Sequence, residues 1–415
     1  MACAKPPRAQ DAARTSDRPL FRTGMTVLIE DSLQVIAGRR IALITNHTGV
    51  DGKGLSVVDL LRDDPRAKRA NVALIRLFSP EHGIRGDQDV ENLPDQLDPK
   101  TGLMVHSLYT RGTVGPPDSL LRDLDGLVYD LQDIGTRTWT YVGVMVYSMR
   151  AAARAGIPFI VLDRPNPLGG RAEGLLLDSA LANPEDPTPQ RRGQAYALYP
   201  APLRHGMTIG EMARWFAAEL KIPVQLTVVK MGGYRRGMWW DETGLPWVRP
   251  SPNMPSLTSA LIYPAIVPFE GSNLSVGRGT DIAFQHVGAS WLDAKKVADL
   301  LEDRQLSGVH FVAERFTPVR PGDNKFAGKE IPGVRVMVDA RDRVQAARVG
   351  AALLWAIAKV HPDSLRLNGL TVDHRLGATW AREALVRGDD PDEVIDRVQP
   401  EIVAFTRRVR PYLLY

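Results

Sequence analysis

The sequence predicts an α/β protein, a Rossmann-like parallel sheet followed by an α+β remainder. Three observations predict it. Short apolar runs such as Val72–Ile75 and Ile157–Leu162 recur, and unbroken runs of this length suit parallel strands buried on both faces. Stretches with helical spacing lie between them, so the connections are long enough for parallel crossovers. Each run ends in a polar turn, and open α/β sheets bind ligands beyond the carboxyl ends of their strands.

Bulk properties set the outer limits. A chain of 415 residues makes two or three domains with ample core. At 44% hydrophobic and 24% charged, the composition is that of a soluble globular protein. Fifty-two basic and 48 acidic residues give a net charge of +4, and no basic block is interleaved with aromatics, so no nucleic-acid partner is expected. Cys3 is the single cysteine, which excludes a disulfide framework and a cysteine-based zinc site. No run reaches the roughly 18 apolar residues of a transmembrane segment, and no signal-peptide core is visible. The opening Met1-Ala2-Cys3 reads either as a chance cysteine in a polar tail or as a bacterial lipoprotein start after signal removal.

Residues 1–24 are polar and rich in Pro and Arg, and a disordered tail is expected there. Arg39–Ile44 is the first strand, running into the turn Thr45-Asn46-His47-Thr48-Gly49. Leu55–Arg62 fits a helix capped by Ser56. The strand Val72–Ile75 runs on to a stop at Ser79-Pro80, and directly after it stand Glu81, His82 and Gly83. Taken alone, this is equally a reactive pair past a strand end or a loop in which Glu81 caps a helix and His82 is solvated. Gly126–Leu131 is a third strand, leading into Gln132-Asp133-Ile134-Gly135-Thr136-Arg137. Tyr141–Ala155 has helical spacing, with Val142, Met145, Val146 and Met149 on one face. Ile157–Leu162 is a fourth strand, leading into Asp163–Gly170.

Thr208–Leu220 opens with a capping box, Thr208 and Glu211, and Val224–Lys230 is a further strand. Prolines and glycines around residues 244–255 mark a domain seam, giving a first domain over 25–248 and a second over 249–415. The second carries a glycine-rich loop over 271–279, helices over Val297–Leu301 and Ala346–Val360, and a strand over Val334–Val338.

Neither G-x-G-x-x-G nor a P-loop occurs, so no nucleotide cofactor is inferred. Glu81, His82, Asp130, Asp133 and Asp163 could form a hard-metal site, but no ligand-spacing motif accompanies them and no metal is expected. A G-x-S-x-G nucleophile elbow is also missing. Arg278 sits between Gly277 and Gly279, where it is either a surface arginine or a grip for a carboxylate. Trp139, Tyr141, Trp239, Trp240 and Trp247 lie near the polar turns, suited to the core or to stacking on a sugar ring.

Five polar strings occur in one order. They are Ser79–Gly83, Tyr129–Arg137, Leu162–Gly170, Pro250–Pro255 and Glu270–Thr280. In this the sequence resembles the NamZ-type exo-β-N-acetylmuramidases, formerly a domain of unknown function, over roughly residues 25–415. The resemblance implies a Rossmann-like catalytic domain, a smaller C-terminal α/β domain and a cleft between them. It implies release of terminal, non-reducing N-acetylmuramic acid from peptidoglycan fragments, without a cofactor. Glu81 is then the general acid, with His82 tuning its proton affinity. The second catalytic role falls to Glu270, to Asp133 or to the substrate's own acetamido group. The lactyl carboxylate calls for a cation, with Arg137, Arg164 and Arg278 as candidates. Asn46, Asn166, Asn253 and Asn273 are expected on hydroxyl and acetamido groups, with Asp130, Tyr141 and Asp163 beside them. His47 departs from the pattern expected in relatives, which bears on substrate detail. The implied setting is the cell envelope, periplasmic or secreted. Two rival readings are a non-catalytic sugar-binding protein and a metal-dependent hydrolase of another bond.

Overall fold

A computed structural model describes residues 20–80, 84, 94–108, 115–182 and 197–415. Glu81, His82 and Cys3 lie outside the described residues.

The first part of the chain runs α1 (Gly24–Asp31), β1 (Arg40–Thr45), α2 (Val57–Asp63), α3 (Pro65–Arg69), β2 (Ala73–Ser79), β3 (Gln96–Leu97), β4 (Met104–Ser107), β5 (Gly126–Asp130) and α4 (Tyr141–Ala155). It continues with β6 (Phe159–Leu162), β7 (Glu173–Leu176), β8 (Pro202–Arg204), α5 (Ile209–Glu219) and β9 (Leu226–Val229). Among the described residues these strands build a seven-stranded sheet, ordered β3-β4-β2-β1-β5-β6-β9, and a separate pair β7-β8. All neighbours in the large sheet are parallel except β3 on β4. Every residue of β5 and β6 is buried, because helices cover both faces and no face is left for polar side chains. The chain builds outward from β1 through β2 to β4, then returns past β1 to lay down β5, β6 and β9. The order therefore reverses between β1 and β5, where Ile44 pairs with Tyr129 and Thr45 with Asp130. A crevice for a ligand is expected at that reversal.

Local chemistry sets the boundaries. Ser56 accepts a hydrogen bond from Val58 N and caps α2. α4 ends at Gly156, whose φ of +68° is a left-handed conformation that glycine adopts without a Cβ penalty. β2 ends at Ser79, at the stop expected from Ser79-Pro80, and Leu77, Phe78 and Ser79 pair with β4. Part of the expected tail is held in place. Arg22 exchanges two 2.9 Å backbone hydrogen bonds with Gly232, and α1 begins at Gly24.

The second part runs α6 (Leu257–Ile266), β10 (His286–Gly288), α7 (Ala294–Glu302), β11 (Val309–Phe316), β12 (Ile331–Val338), α8 (Ala346–Val360), α9 (Gly369–Leu376), α10 (Thr379–Arg387), α11 (Pro391–Asp396) and α12 (Gln399–Val409). β10, β12 and β11 form an antiparallel sheet in that order. α8 is its hub, buried from Ala346 to Ala358 except at Arg348. Its small residues let α6 approach closely, since a Cβ on Gly350 would stand 2.7 Å from Ala265 O. One apolar cluster runs from Ala42 to Val409, so the two parts share a core. The expected helix over Val297–Leu301 extends to Ala294–Glu302, capped by Asp293.

The capping box of α5 is complete. Thr208 Oγ1 accepts from Glu211 N at 3.3 Å, and Glu211 Oε2 accepts from Thr208 N at 3.0 Å. Thr208 Oγ1 also donates to Asp163 Oδ2 at 2.9 Å. Thr208→Ala therefore removes two buried bonds and costs about 1–2 kcal/mol. The check is a lower urea midpoint at unchanged m-value, with Thr208→Ser close to the parent.

Candidate functional site

The turns beyond β1, β5 and β6 are bonded to one another. Thr45 Oγ1 donates to Asp130 O at 2.8 Å. Gln132 N donates to Thr48 Oγ1 at 3.1 Å, and Gln132 Nε2 donates at 2.8 Å to both Asp133 O and Pro165 O. At the centre Arg164 grips Asp130 side-on, Nε to Oδ1 at 2.5 Å and Nη2 to Oδ2 at 2.9 Å. The same guanidinium donates to Val50 O at 3.1 Å, so it ties all three turns together. The two side chains are 2% and 0% exposed.

Several residues expected on substrate have their bonds inside the protein. Asn46 Oδ1 accepts from Thr48 N and Thr48 Oγ1, and Asn46 Nδ2 donates to the Tyr141 hydroxyl at 2.8 Å. That hydroxyl donates in turn to Pro250 O at 2.8 Å. Asn166 Nδ2 donates to Met207 O, and its Oδ1 accepts from Leu168 N. A Cβ at Gly135 (φ +81°) would stand 2.4 Å from that Oδ1, so only glycine fits the turn. Asp163 accepts from Arg164 N, Gly210 N, Thr208 Oγ1 and the Tyr415 hydroxyl. Burial pushes its carboxyl up to about 7 despite those donors. Asn253 Oδ1 accepts from Gly279 N at 3.3 Å, while Asn273 bonds to Ser364 O and Arg366 N.

A different set in the same turn is left with unpartnered polar atoms. Gln132 Oε1, Asp133 Oδ2 and Trp139 Nε1 are buried and have no hydrogen-bond partner among the described residues. Asp133 Oδ1 accepts from Gly135 N at 2.6 Å and lies 3.3 Å from His205 Nε2. His205 Nδ1 accepts from Met207 N, which leaves the ring proton on Nε2, facing Asp133. Trp139 stands edge-on to Tyr141 and Tyr263, with centroids 5.5 and 5.9 Å away. Tyr263 packs on Phe284 at 4.7 Å, and the Arg278 guanidinium lies 5.3 Å over the Phe284 ring.

This aromatic line ends at Glu270. Arg278 Nε donates to Glu270 Oε1 at 3.0 Å, Arg278 Nη2 also reaches that oxygen, and Arg375 Nε donates to Oε2 at 3.0 Å. Lys325 Nζ donates to Glu270 O at 3.0 Å. Burial pushes the Glu270 carboxyl up, but the two guanidinium charges overcome it and hold the group below its ordinary value. Glu270 is thus kept ionised and suits charge stabilisation or a base, not proton donation. Arg137 closes the arrangement. Its Nη1 donates to His374 O at 2.8 Å and its Nη2 to Arg375 O at 3.0 Å, in the last turn of the helix that carries Arg375.

The space over the β1/β5 reversal itself is narrow. Thr48, Val50, Gln132, Arg164, Trp240 and Leu245 surround about 10 Å³, enough for a water but not for a sugar ring. The unpartnered polar atoms of the 132–139 turn lie on the line of rings, Trp139, Tyr263 and Phe284, that leads to Arg278 and Glu270. Pro80 is buried where β2 ends, and Phe78 of β2 pairs with Ile44 of β1 beside the reversal. Among the described residues no group of three or more His, Asp, Glu or Cys is arranged to hold a metal ion. Sequence reasoning did not find Arg375, Lys325, Tyr263 or His205. None stands in a local motif, and each is recruited by packing between distant segments.

A family profile described as exo-β-N-acetylmuramidase NamZ, N-terminal, matches residues 41–258, and its C-terminal counterpart matches 261–415. The profiles divide the chain slightly beyond the expected 248/249 seam. The chain is 38% identical over 405 residues to the peptidoglycan β-N-acetylmuramidase NamZ of Bacillus subtilis (strain 168), covering 97% of this chain and 93% of that one. A crystal structure of a DUF1343 family protein from Bacteroides fragilis NCTC 9343 superposes with a TM-score of 0.84 at 33% identity, covering 95% of this chain and 99% of that one. A second DUF1343 protein from the same organism gives a TM-score of 0.71 at 26% identity, with the same coverage.

The Arg164–Asp130 pair generates a stability prediction. Arg164→Met leaves the Asp130 charge buried and unmatched, a loss of about 3–5 kcal/mol. Adding Asp130→Leu to it is expected to recover most of that loss. Urea denaturation of both variants is the measurement, and a double variant no more stable than the single one would contradict it.

Proposed function

The chain belongs to the NamZ family of exo-β-N-acetylmuramidases, and from that premise we propose how its residues work. It is a glycosidase that releases terminal, non-reducing N-acetylmuramic acid from peptidoglycan fragments. One observation carries this reading. The relationship to a peptidoglycan β-N-acetylmuramidase spans 97% of the chain, including the strand end from which Glu81 follows.

Glycoside hydrolysis requires an acid to protonate the leaving oxygen and a group to stabilise or attack the sugar cation. We assign the acid to Glu81. It stands two positions after Ser79, the last residue of β2, and parallel sheets present chemistry beyond the carboxyl ends of their strands. His82 follows it and is assigned to tuning its proton affinity. Glu270 and Asp133 remain the two protein candidates for the second role, with complementary strengths. Glu270 is held ionised but has both oxygens bonded, whereas Asp133 keeps one buried oxygen open. An open carboxylate oxygen favours Asp133 for contact with the acetamido group or a water.

The lactyl carboxylate separates N-acetylmuramic acid from N-acetylglucosamine. Of the three arginines considered, Arg164 is closed on Asp130 and Arg137 is engaged with helix carbonyls. Arg278 is the most exposed, at 27% of its side chain, and its bonds to Glu270 use Nε and Nη2. We assign the lactyl contact to Arg278, with Lys325 adding positive charge beside it. Such an enzyme meets its substrate in the cell envelope, and we propose that setting. No helix among the described residues is long and apolar enough to cross a membrane.

Two outcomes follow. Glu81→Gln keeps size and hydrogen bonding but has no proton to give, so kcat on a chromogenic β-N-acetylmuraminide falls ~10²- to 10⁴-fold. Parent-like turnover would remove Glu81 from the mechanism. Arg278→Lys keeps charge and loses the fork, so the kcat/KM ratio for the muraminide over the matching glucosaminide falls about ten- to a hundredfold. An unchanged ratio would assign the lactyl group to another contact.

A further inference from the structure

We propose that a second pocket, beyond the carboxyl ends of β6 and β9, binds a small ligand through an oxyanion head, a carboxylate or a phosphate. Its lining includes Gly169, Gly170, Arg171, Arg204, Arg236 and Trp239, and its volume is about 360 Å³. That falls within the range of small-molecule sites, ~300–1,000 Å³. The lining follows the carboxyl ends of β6 and β9 and the end of β8. Three strand spacings separate β6 from β2, about 14 Å at ~4.8 Å each, so the pocket lies apart from the end of β2.

The argument is one of charge. The Arg204 side chain is 3% exposed, and its Nε is buried without a partner among the described residues. Its Nη2 donates to Leu168 O, a neutral group. The nearest carboxylate is Glu173, 3.8 Å from Arg204 Nη1. That carboxylate already receives Arg171 Nη2 at 2.5 Å and Ala346 N at 2.9 Å. Two guanidinium groups thus share the Glu173 carboxylate, and the pocket lining sets three arginines, Arg171, Arg204 and Arg236, against the single carboxylate of Asp342. Burial lowers the proton affinity of Arg204, with Arg171 adding to the effect and Glu173 opposing it. An arginine in such a place is costly unless an anion completes it.

The rest of the wall is built to stay in place. Trp239 Nε1 donates to Asp342 Oδ1 at 2.7 Å, and the guanidinium groups of Arg204 and Arg341 lie 5.5 and 4.9 Å from its ring centroid. Arg236 is held by Glu211 and by Gly206 O at 2.9 Å. Arg171 has 40% of its side chain exposed at the mouth, where its Nη1 and Nη2 also donate to Asp342 O and Val344 O, and Arg204 forms the floor. A planar guanidinium matches carboxylate and phosphate oxygens alike.

The test is calorimetric titration of the full chain at low ionic strength with inorganic phosphate, with D-lactate and with neutral N-acetylglucosamine. Parent, Arg171→Gln and Arg204→Gln are compared. At least one anion is expected to bind the parent, and its affinity is expected to fall about ten- to a hundredfold in each variant. Which anion binds identifies the source of the oxyanion. Because Arg204 is buried and its loss endangers folding, Arg171→Gln alone suffices for the decision. Absence of binding by either anion, or parent affinity in Arg171→Gln, overturns the proposal. Muraminidase activity is assayed on the same samples. Failure of that activity with anion binding intact would count against the functional reading and leave this pocket standing.

Discussion

The carboxyl edge of the sheet depends on one buried ion pair, Arg164 on Asp130. Both charges are withdrawn from water, so neither is tolerable without the other, and the side-on geometry allows a single arrangement. By also bonding Val50 O, Arg164 fixes the turns after β1, β5 and β6 relative to one another. Gln132 and Asn46 add neutral bonds that follow the same geometry. Asp163, next in the chain to Arg164, carries the constraint onward to the start of α5 and to Tyr415.

On that rigid floor the polar residues divide into two classes. One class faces inward and holds backbone. The other presents Gln132, Asp133 and Trp139 from the same turn, and leads through Tyr263 and Phe284 to Arg278 and Glu270. Arg137 couples the classes, because it ties the turn to the helix end that carries Arg375. Glu270 and the 132–139 turn therefore come from the two parts of the chain but are held over a core that both parts share. Fixed placement of this kind converts binding energy into orientation at the reacting bond. The cost of ordering is met during folding, before substrate arrives.

Regular elements were legible in the sequence where periodicity was strong. α4 and α8 match their expected limits, Tyr141–Ala155 and Ala346–Val360, because a long apolar face admits one register. The capping box at Thr208 and Glu211 and the cap at Ser56 were equally readable, since their partners lie within three residues. The end of β2 at Ser79 was legible because Pro80, next in the chain, cannot easily continue a strand ladder. The small antiparallel sheet and the helices after α8 carried weaker local signals.

By itself the sequence determined the parallel α/β architecture, the strand ends at which polar residues collect and the ordered strings that mark the family. Those features rest on apolar periodicity and residue type, which are local. Only the tertiary structure decided what each polar residue does. Asn46, Asn166, Asp163 and Arg164 stand at strand ends, as ligand-binding residues do, yet their partners come from segments as distant as Tyr141, Met207, Tyr415 and Asp130. Arg375 and Lys325 reach Glu270 from helix and loop positions with no motif around them. A buried polar atom must be satisfied by whatever folding brings near it. Which atoms are satisfied, and which are left open for a ligand, is therefore a property of the packed chain.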